Sequence, residues 1–359
     1  FCIVKILIDI GHPAHVHYFR NFIGIMQGRG HEFLITAREK EVSHQLLNSF
    51  KIPFYDRGKG SNNIFGKILY VLKADRDIYK VSKTHKPDLF LSFASPYAGH
   101  VAALMGKSHI SFTDTENARL GIISFSSFAD CIITPDSFRG RLGKKHVSFR
   151  GFMELCYLHP KYFTSEKSVV SELGLAAKEP YVLLRFVSWN ANHDIGQSGI
   201  PYNEKLELVR RISKKMRVFI SSEGHLPDEL LKYRINISPE KIHSILAYAS
   251  LYLGEGATMA SESAILGTPA IYINSLTAGT IEAQQRYGLL FSYRNINGVF
   301  DRLEELLNNP LLKNTFERKR DRMLEDQIDV NSFMVWFIEN YPDSARIMKN
   351  DSSYQERFR

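Results

Sequence analysis

Cysteine is scarce in this chain and badly placed for pairing. Its three cysteines, Cys2, Cys131 and Cys156, lie far apart with no CxxC pair. That argues against a disulfide framework or a thiolate zinc site and points to a reducing compartment. Long apolar runs are missing as well: nothing approaches the roughly 20 residues of a membrane span. The apolar start, Ile3 to Ile10, is broken by Lys5 and Asp9 and reads as a first β-strand, not a secretory leader. A cytoplasmic protein is expected. No nucleic-acid module signature is present, and the Lys and Arg residues are scattered, so no nucleic-acid partner is expected.

What is there suits two domains of ordinary size, because 359 residues exceed one ordinary core. The formal charge of +8 is uneven: residues 1–165 hold 22 Lys and Arg against 13 Asp and Glu, and ten of the 13 histidines. A basic half of this kind suits an anionic membrane surface or a phosphorylated lipid.

Strand-like and helix-like segments alternate along both halves. In the first, Lys5 to Asp9, Glu32 to Thr36, Asp88 to Ser92, His109 to Phe112 and Cys131 to Thr134 read as strands. In the second, Tyr181 to Phe186, Arg217 to Ser221, Leu251 to Leu253 and Ala270 to Ile273 do so. The fold class expected is α/β, two doubly wound Rossmann-like domains facing a central cleft, with ligands at the carboxyl ends of the strands. The divisions are 1–160, 161–342 and a polar, frayed tail at 343–359, with a linker around 151–164.

The most informative stretch runs from Gly254 to Pro269, between the apolar runs Leu251–Leu253 and Ala270–Ile273. Gly254 and Gly256 make the strand-to-helix turn. Ala257 and Thr258 open a helix whose free N–H groups attract anions. Ser261 and Glu262 follow within it, and a carboxylate there can accept from sugar hydroxyls. This combination suggests a phosphate-bearing nucleotide-sugar; a plain tight turn with a solvated Glu262 is the other reading. Arg185 ends a strand just before Ser188 and can neutralise a diphosphate leaving group, or form a surface ion pair. Glu282, Gln284 and Gln285 lie near the start of a later helix, where amides can bind sugar hydroxyls.

In the first half the turn Gly11-His12-Pro13-Ala14-His15-Val16-His17 is rich in histidine but lacks zinc-site spacing. A neutral His15 is a candidate general base, and helix capping is the alternative. Asp114 and Glu116 end another strand and are candidates for base or acceptor binding; a helix cap at Thr115 or Asn117 is the alternative. Ser95 to Gly99 either lines the cleft or is ordinary turn chemistry. Asp75-Arg76-Asp77 matches the DxD of metal-dependent glycosyltransferases by letter only, since it falls inside a helix expected from Ile64 to Lys83. That helix mixes apolar and basic residues, as a membrane-contacting helix or an ordinary core face would.

These residues resemble a known enzyme family. Ser261-Glu262, Gly267-Thr268-Pro269, Gln284-Gln285, His15-Val16 and Asp114 to Ala118 are similar, in order, to motifs of the glycosyltransferase that forms lipid II. UDP-N-acetylglucosamine 2-epimerase is a more distant likeness. The opening Ile8-Asp9-Ile10-Gly11-His12-Pro13-Ala14-His15 also resembles a family of uncharacterised, glycosyltransferase-like bacterial and archaeal proteins. The resemblance implies a metal-independent GT-B fold enzyme with no cofactor beyond a UDP-sugar donor. It further implies Glu262 on the ribose, Gln284 and Gln285 on the donor sugar, and a glycan or lipid-linked acceptor. His12-Pro13-Ala14 replaces consecutive glycines of the first loop. The family glutamate of the second loop falls on Thr115, with Glu116 one place later. The Arg-Pro-Glu usual in the epimerase's first loop is absent.

Overall fold

The computed structural model describes residues 3–61, 63–176, 179–187, 200–222, 224 and 226–359. They divide into two units, Phe1–Tyr157 with Gln327–Arg359, and Leu158–Asp326.

The first unit is a seven-stranded parallel sheet, in the order β3-β2-β1-β4-β5-β6-β7. Its strands are β1 Lys5–Ile10, β2 Glu32–Glu39, β3 Tyr55–Lys59, β4 Leu89–Phe93, β5 Ser108–Phe112, β6 Cys131–Pro135 and β7 His146–Phe149. Central strands are buried on both faces and so read as continuous apolar runs. The second unit holds five parallel strands, β8 Tyr181–Phe186, β9 Arg217–Ser222, β10 Leu251–Gly254, β11 Ala270–Ile273 and β12 Leu290–Tyr293, ordered β12-β11-β10-β8-β9. The strand order reverses direction between β1 and β4 in one sheet and between β8 and β10 in the other. At such a switch point two loops diverge beyond the strand ends and leave a crevice. The expected doubly wound α/β class is therefore found in each unit.

Local sequence accounts for the helices beside those points. Pro13 opens Pro13–Gly28, where its missing N–H is no loss, and Val16, Phe19, Phe22, Ile23 and Met26 turn inward. Ala257–Leu266 stops at Gly267, in the left-handed region at φ 77°. Asp75 and Asp77 do lie inside one helix, Ile64–His85, paired with His100 and Lys73 respectively.

The C-terminal segment differs from the polar tail expected at 343–359. It forms the helix Asp343–Asn350 and a 3₁₀ segment, Ser352–Phe358. Ala345 and Met348 are buried on one helix face, Phe358 packs 5.4 Å from Trp336, and Gln355 accepts the Arg150 N–H at 2.6 Å. Residues from Gln327 onward thus belong to the first unit, held also by Phe333 against Phe149 and by Asn331 donating to the Cys156 carbonyl at 2.8 Å. Of residues 151–164, expected as linker, 151–158 are buried and 159–164 are exposed or half-buried.

Candidate functional site

The candidate residues form two clusters, one in each unit at its switch point. In the first unit β1 runs directly into Gly11, and His12 caps the following helix, its Nδ1 accepting from the Ala14 N–H at 3.2 Å. His15 Nδ1 accepts the Gly11 N–H, also at 3.2 Å. A neutral imidazole so occupied carries its proton on Nε2 and is a donor there. Burial, reinforced by His12 and Lys40, holds the His15 pKa well below its ordinary 6.5. The ring lies 4.8 Å from Phe93 and is nearly parallel to Tyr18 at 6.2 Å.

Asp114, on the loop after β5, joins this cluster through Tyr18, whose hydroxyl donates to Oδ2 at a long 3.5 Å. Thr115 donates to Oδ1 at 3.0 Å. Burial, the largest influence, pushes the Asp114 pKa up to about 6, with Glu116 adding and the Thr115 hydroxyl opposing. A carboxylate titrating there can accept a proton near neutrality, whereas His15 is held neutral with its proton on Nε2. Of the three candidate bases, His15 and Asp114 are thus brought into one cluster, joined by Tyr18. Glu116 reaches elsewhere: its Oε1 accepts the Arg139 N–H at 2.9 Å. Ser95 is turn chemistry, accepting the Ala98 N–H and donating to buried Asp9 at 2.6 Å.

In the second unit β10 ends at Gly254, opposite Arg185 of β8. A Cβ on Gly254 would stand 2.6 Å from the Tyr252 hydroxyl and 2.7 Å from the Arg185 carbonyl oxygen, whereas one on Gly256 would meet nothing closer than 3.6 Å. Close strand packing, not a left-handed turn, is what demands glycine at 254. Gly254→Ala is expected to cost about 1–3 kcal/mol and Gly256→Ala under about 1 kcal/mol, readable as a large and a small fall in thermal midpoint. Equal falls would refute the distinction.

Gly256 is the N-cap of Ala257–Leu266 and supplies no capping side chain, and the first turn holds no acid. Ala257 and Thr258 are half-buried at this helix start. The Arg185 side chain passes close by, its Cγ 3.7 Å from the Cβ position of Gly256, and its Nη1 donates to Ser221 at 2.6 Å. One turn on, Ser261 accepts from Gln284 Nε2 at 2.6 Å. The other amide atom, Gln284 Oε1, is buried without a hydrogen-bond partner among the described residues. Glu262, 4 % exposed, holds His243 Nε2 at 2.9 Å. Gln285 does not join them: it is exposed, and its Oε1 accepts the Ser292 N–H of β12 at 3.1 Å. Successive helix residues point about 100° apart, so a glutamine pair cannot both face Ser261. Ser188 lies outside the described residues.

Sequence reasoning missed four residues tied to these clusters. Tyr18 links His15 to Asp114, and His243 grips Glu262. Buried Glu255 accepts from Val187 N at 3.0 Å and from Ile200 N at 2.5 Å. Asp9 lies buried immediately before the histidine loop. An acid inside an apolar strand run was the one available signal, for Asp9; the bonds of Tyr18 to Asp114, His243 to Glu262, and Glu255 to Val187 and Ile200 span 96, 19, 68 and 55 residues.

Two parallel-sheet α/β units, each with its functional candidates at the strand switch point, define a GT-B-like protein. Solved structures with this fold include UDP-GlcNAc 2-epimerase from Neisseria meningitidis bound to UDP-GlcNAc, at TM-score 0.64 and 13 % identity over 94 % of this chain and 100 % of that one. They also include the glycosyltransferase SsfS6 of Streptomyces sp. SF2575, at TM-score 0.58 and 14 % identity over 94 % and 100 %. The chain belongs to the family described as protein of unknown function (DUF354), which it matches over residues 4–339. It is also similar to the uncharacterized protein MJ0665 of Methanocaldococcus jannaschii, 24 % identical over 278 residues that span 75 % of this chain and 81 % of that protein.

Proposed function

We propose that this chain is a glycosyltransferase that moves a sugar, an N-acetylhexosamine, from a UDP-sugar to a hydroxyl acceptor in glycan or cell-envelope synthesis. The observation that carries the reading is the helix start at Gly256 to Thr258, without a capping side chain and with Arg185 beside it and Glu262 one turn inside. The helix N–H groups and Arg185 take the charge that grows on the departing diphosphate, without a bound metal. Glu262 takes the ribose hydroxyls and Gln284 the donor sugar. Asp114 accepts the proton of the acceptor hydroxyl, while His15 orients that oxygen through its Nε2–H. The hydroxyl then attacks the anomeric carbon through an oxocarbenium-like transition state.

The acceptor proposed is lipid-linked, as in the lipid II-forming enzymes the sequence resembles. On the helix Ile64–His85 the exposed Phe65, Ile68, Leu69 and Leu72 share one face, followed by the exposed basic Arg76, Lys80 and Lys83. Such a face can lie on an anionic membrane from the inner, cytoplasmic side. No helix among the described residues is long and apolar enough to cross one.

A second reading, UDP-N-acetylglucosamine 2-epimerase, is favoured by the likeness to the Neisseria epimerase; a non-catalytic nucleotide-sugar-binding protein is a third. One experiment separates them. The protein is incubated with UDP-N-acetylglucosamine, with and without lipid-phosphate acceptors in anionic vesicles, and the products are followed by NMR. UDP and a glycosylated lipid, with protein sedimenting with the vesicles, are expected. Appearance of UDP-N-acetylmannosamine or free N-acetylmannosamine would sink the transferase reading. Unchanged UDP affinity in Glu262→Ala would sink the shared premise.

A further inference from the structure

We propose that His243 is a positioning residue that holds the Glu262 carboxylate for the paired hydroxyls of a ribonucleotide; this deepens, and rests on, the UDP-sugar reading. His243 lies 19 residues from Glu262, on the helix Ile242–Tyr248. Both side chains are buried, at 2 % and 6 % exposure, and meet at 2.9 Å.

The His243 helix is itself fastened. The Ile245 carbonyl accepts from the Tyr181 hydroxyl at 2.6 Å, the Leu246 carbonyl from Thr268 Oγ1 at 2.7 Å, and Ser244 Oγ from the Glu166 N–H at 3.0 Å. Phe163 meets the imidazole edge-on at 6.2 Å. The ring is thus a fixed donor, while a glutamate side chain has three torsions to be restrained. An oxygen accepting from Nε2–H keeps a second lone pair. The bond therefore restrains the position of Oε1, and with it the swing of the carboxylate, while a carboxylate has about four acceptor sites in all. Two adjacent ribose hydroxyls need both oxygens in one fixed plane, so a ribonucleotide is recognised over its 2′-deoxy counterpart.

The test is calorimetric titration of UDP and 2′-deoxy-UDP into wild type, His243→Ala, His243→Gln, Glu262→Gln and the His243→Ala/Glu262→Gln double variant. Wild type is expected to prefer UDP by about 10–100-fold, the worth of a hydrogen bond to a charged group. In His243→Ala the preference falls to about unity, and His243→Gln, which keeps an N–H donor, restores most of it. The double variant loses no more than Glu262→Gln alone, as residues acting through one another must. Where His243→Ala folds poorly, His243→Gln carries the test: a preference lost although an N–H donor is kept overturns the proposal. A wild-type preference kept intact in His243→Ala, or strictly additive losses, overturns the role of His243 and leaves the UDP-sugar reading standing. Equal wild-type affinity for the two nucleotides overturns the ribose contact and this proposal with it. No binding of UDP by wild type overturns the UDP-sugar reading itself.

Discussion

Asp114→Asn is expected to lower sugar transfer by about 10²–10⁴-fold, the usual contribution of a positioned acid–base group, and at pH 7 to raise thermal stability. Both effects come from one cause. Burial lifts the Asp114 pKa from an ordinary 3.8 to about 6, so the folded protein retains a proton that the unfolded chain has already released. Wherever the folded state binds more protons, stability falls as pH rises. The window runs from about pH 4, where the unfolded carboxyl ionises, to about pH 6, where the folded one does. Asparagine never ionises, so its advantage is absent below that window, grows through it and is constant above. The gap between the two pKa values would be worth at most about 3 kcal/mol; since Asp114 is only half-buried, about 1–2 kcal/mol is expected after solvent screening. Wild-type turnover should climb with an inflection near pH 6, and the variant's residual rate should be flat there. Two results would end the assignment of Asp114 as base: wild-type turnover in Asp114→Asn, or a wild-type profile with no inflection between pH 5 and 7.

The central strands were legible because burial on both faces leaves a continuous apolar signature, as in Leu89–Phe93 and Tyr181–Phe186. The strands left unread, β3, β7 and β12, are all sheet edges. An edge strand faces a neighbour on one side only and tolerates polar residues, so Tyr55-Asp56-Arg57-Gly58-Lys59 has no apolar run to read. The strand–turn–helix from Leu251 to Leu266 was legible because it is local: turn, helix start and Glu262 fall within one window. Its supports are not. His243 on Glu262 and Glu255 on Val187 and Ile200 span 19, 68 and 55 residues. Which of His15, Asp114 and Glu116 could serve as base depended on hydrogen bonds to Gly11, Tyr18 and Arg139, which no spacing reports. The C-terminal return to the first unit escaped notice because a short amphipathic helix such as Asp343–Asn350 hides its three buried residues, Ser344, Ala345 and Met348, among charges.

Arg57→Ala is expected to cause a large loss of stability in the first unit. Asp9 is fully buried in β1, and its carboxylate accepts from Thr36 Oγ1 and Ser95 Oγ, both at 2.6 Å, and from Arg57 Nη2 at 3.1 Å. Arg57 Nε is also 2.9 Å from Oδ1, though off the line a hydrogen bond needs. The guanidinium, 1 % exposed, donates from Nη1 to Tyr70 at 3.0 Å and lies 5.1 Å over the Tyr97 ring. Removing the cation leaves a charge in a dry interior with only two hydroxyls to hold it, and breaking a buried pair in this way costs about 3–5 kcal/mol. For a unit of this size that is a fall of roughly 6–20 °C in thermal midpoint. Arg57→Lys should not rescue it, because a single ammonium cannot reach Asp9 and Tyr70 together as the planar fork does. Asp9→Asn combined with Arg57→Met should recover much of the loss, because neither charge is then stranded. Since β1 passes from Asp9 through Ile10 into Gly11, the same pair anchors the strand end from which His15 and its Gly11 hydrogen bond are hung. The single variant should therefore also weaken transfer at temperatures where it remains folded. A single variant within about 1 kcal/mol of wild type, or a double variant as unstable as Arg57→Ala, would show that the pair does not hold this end of the sheet.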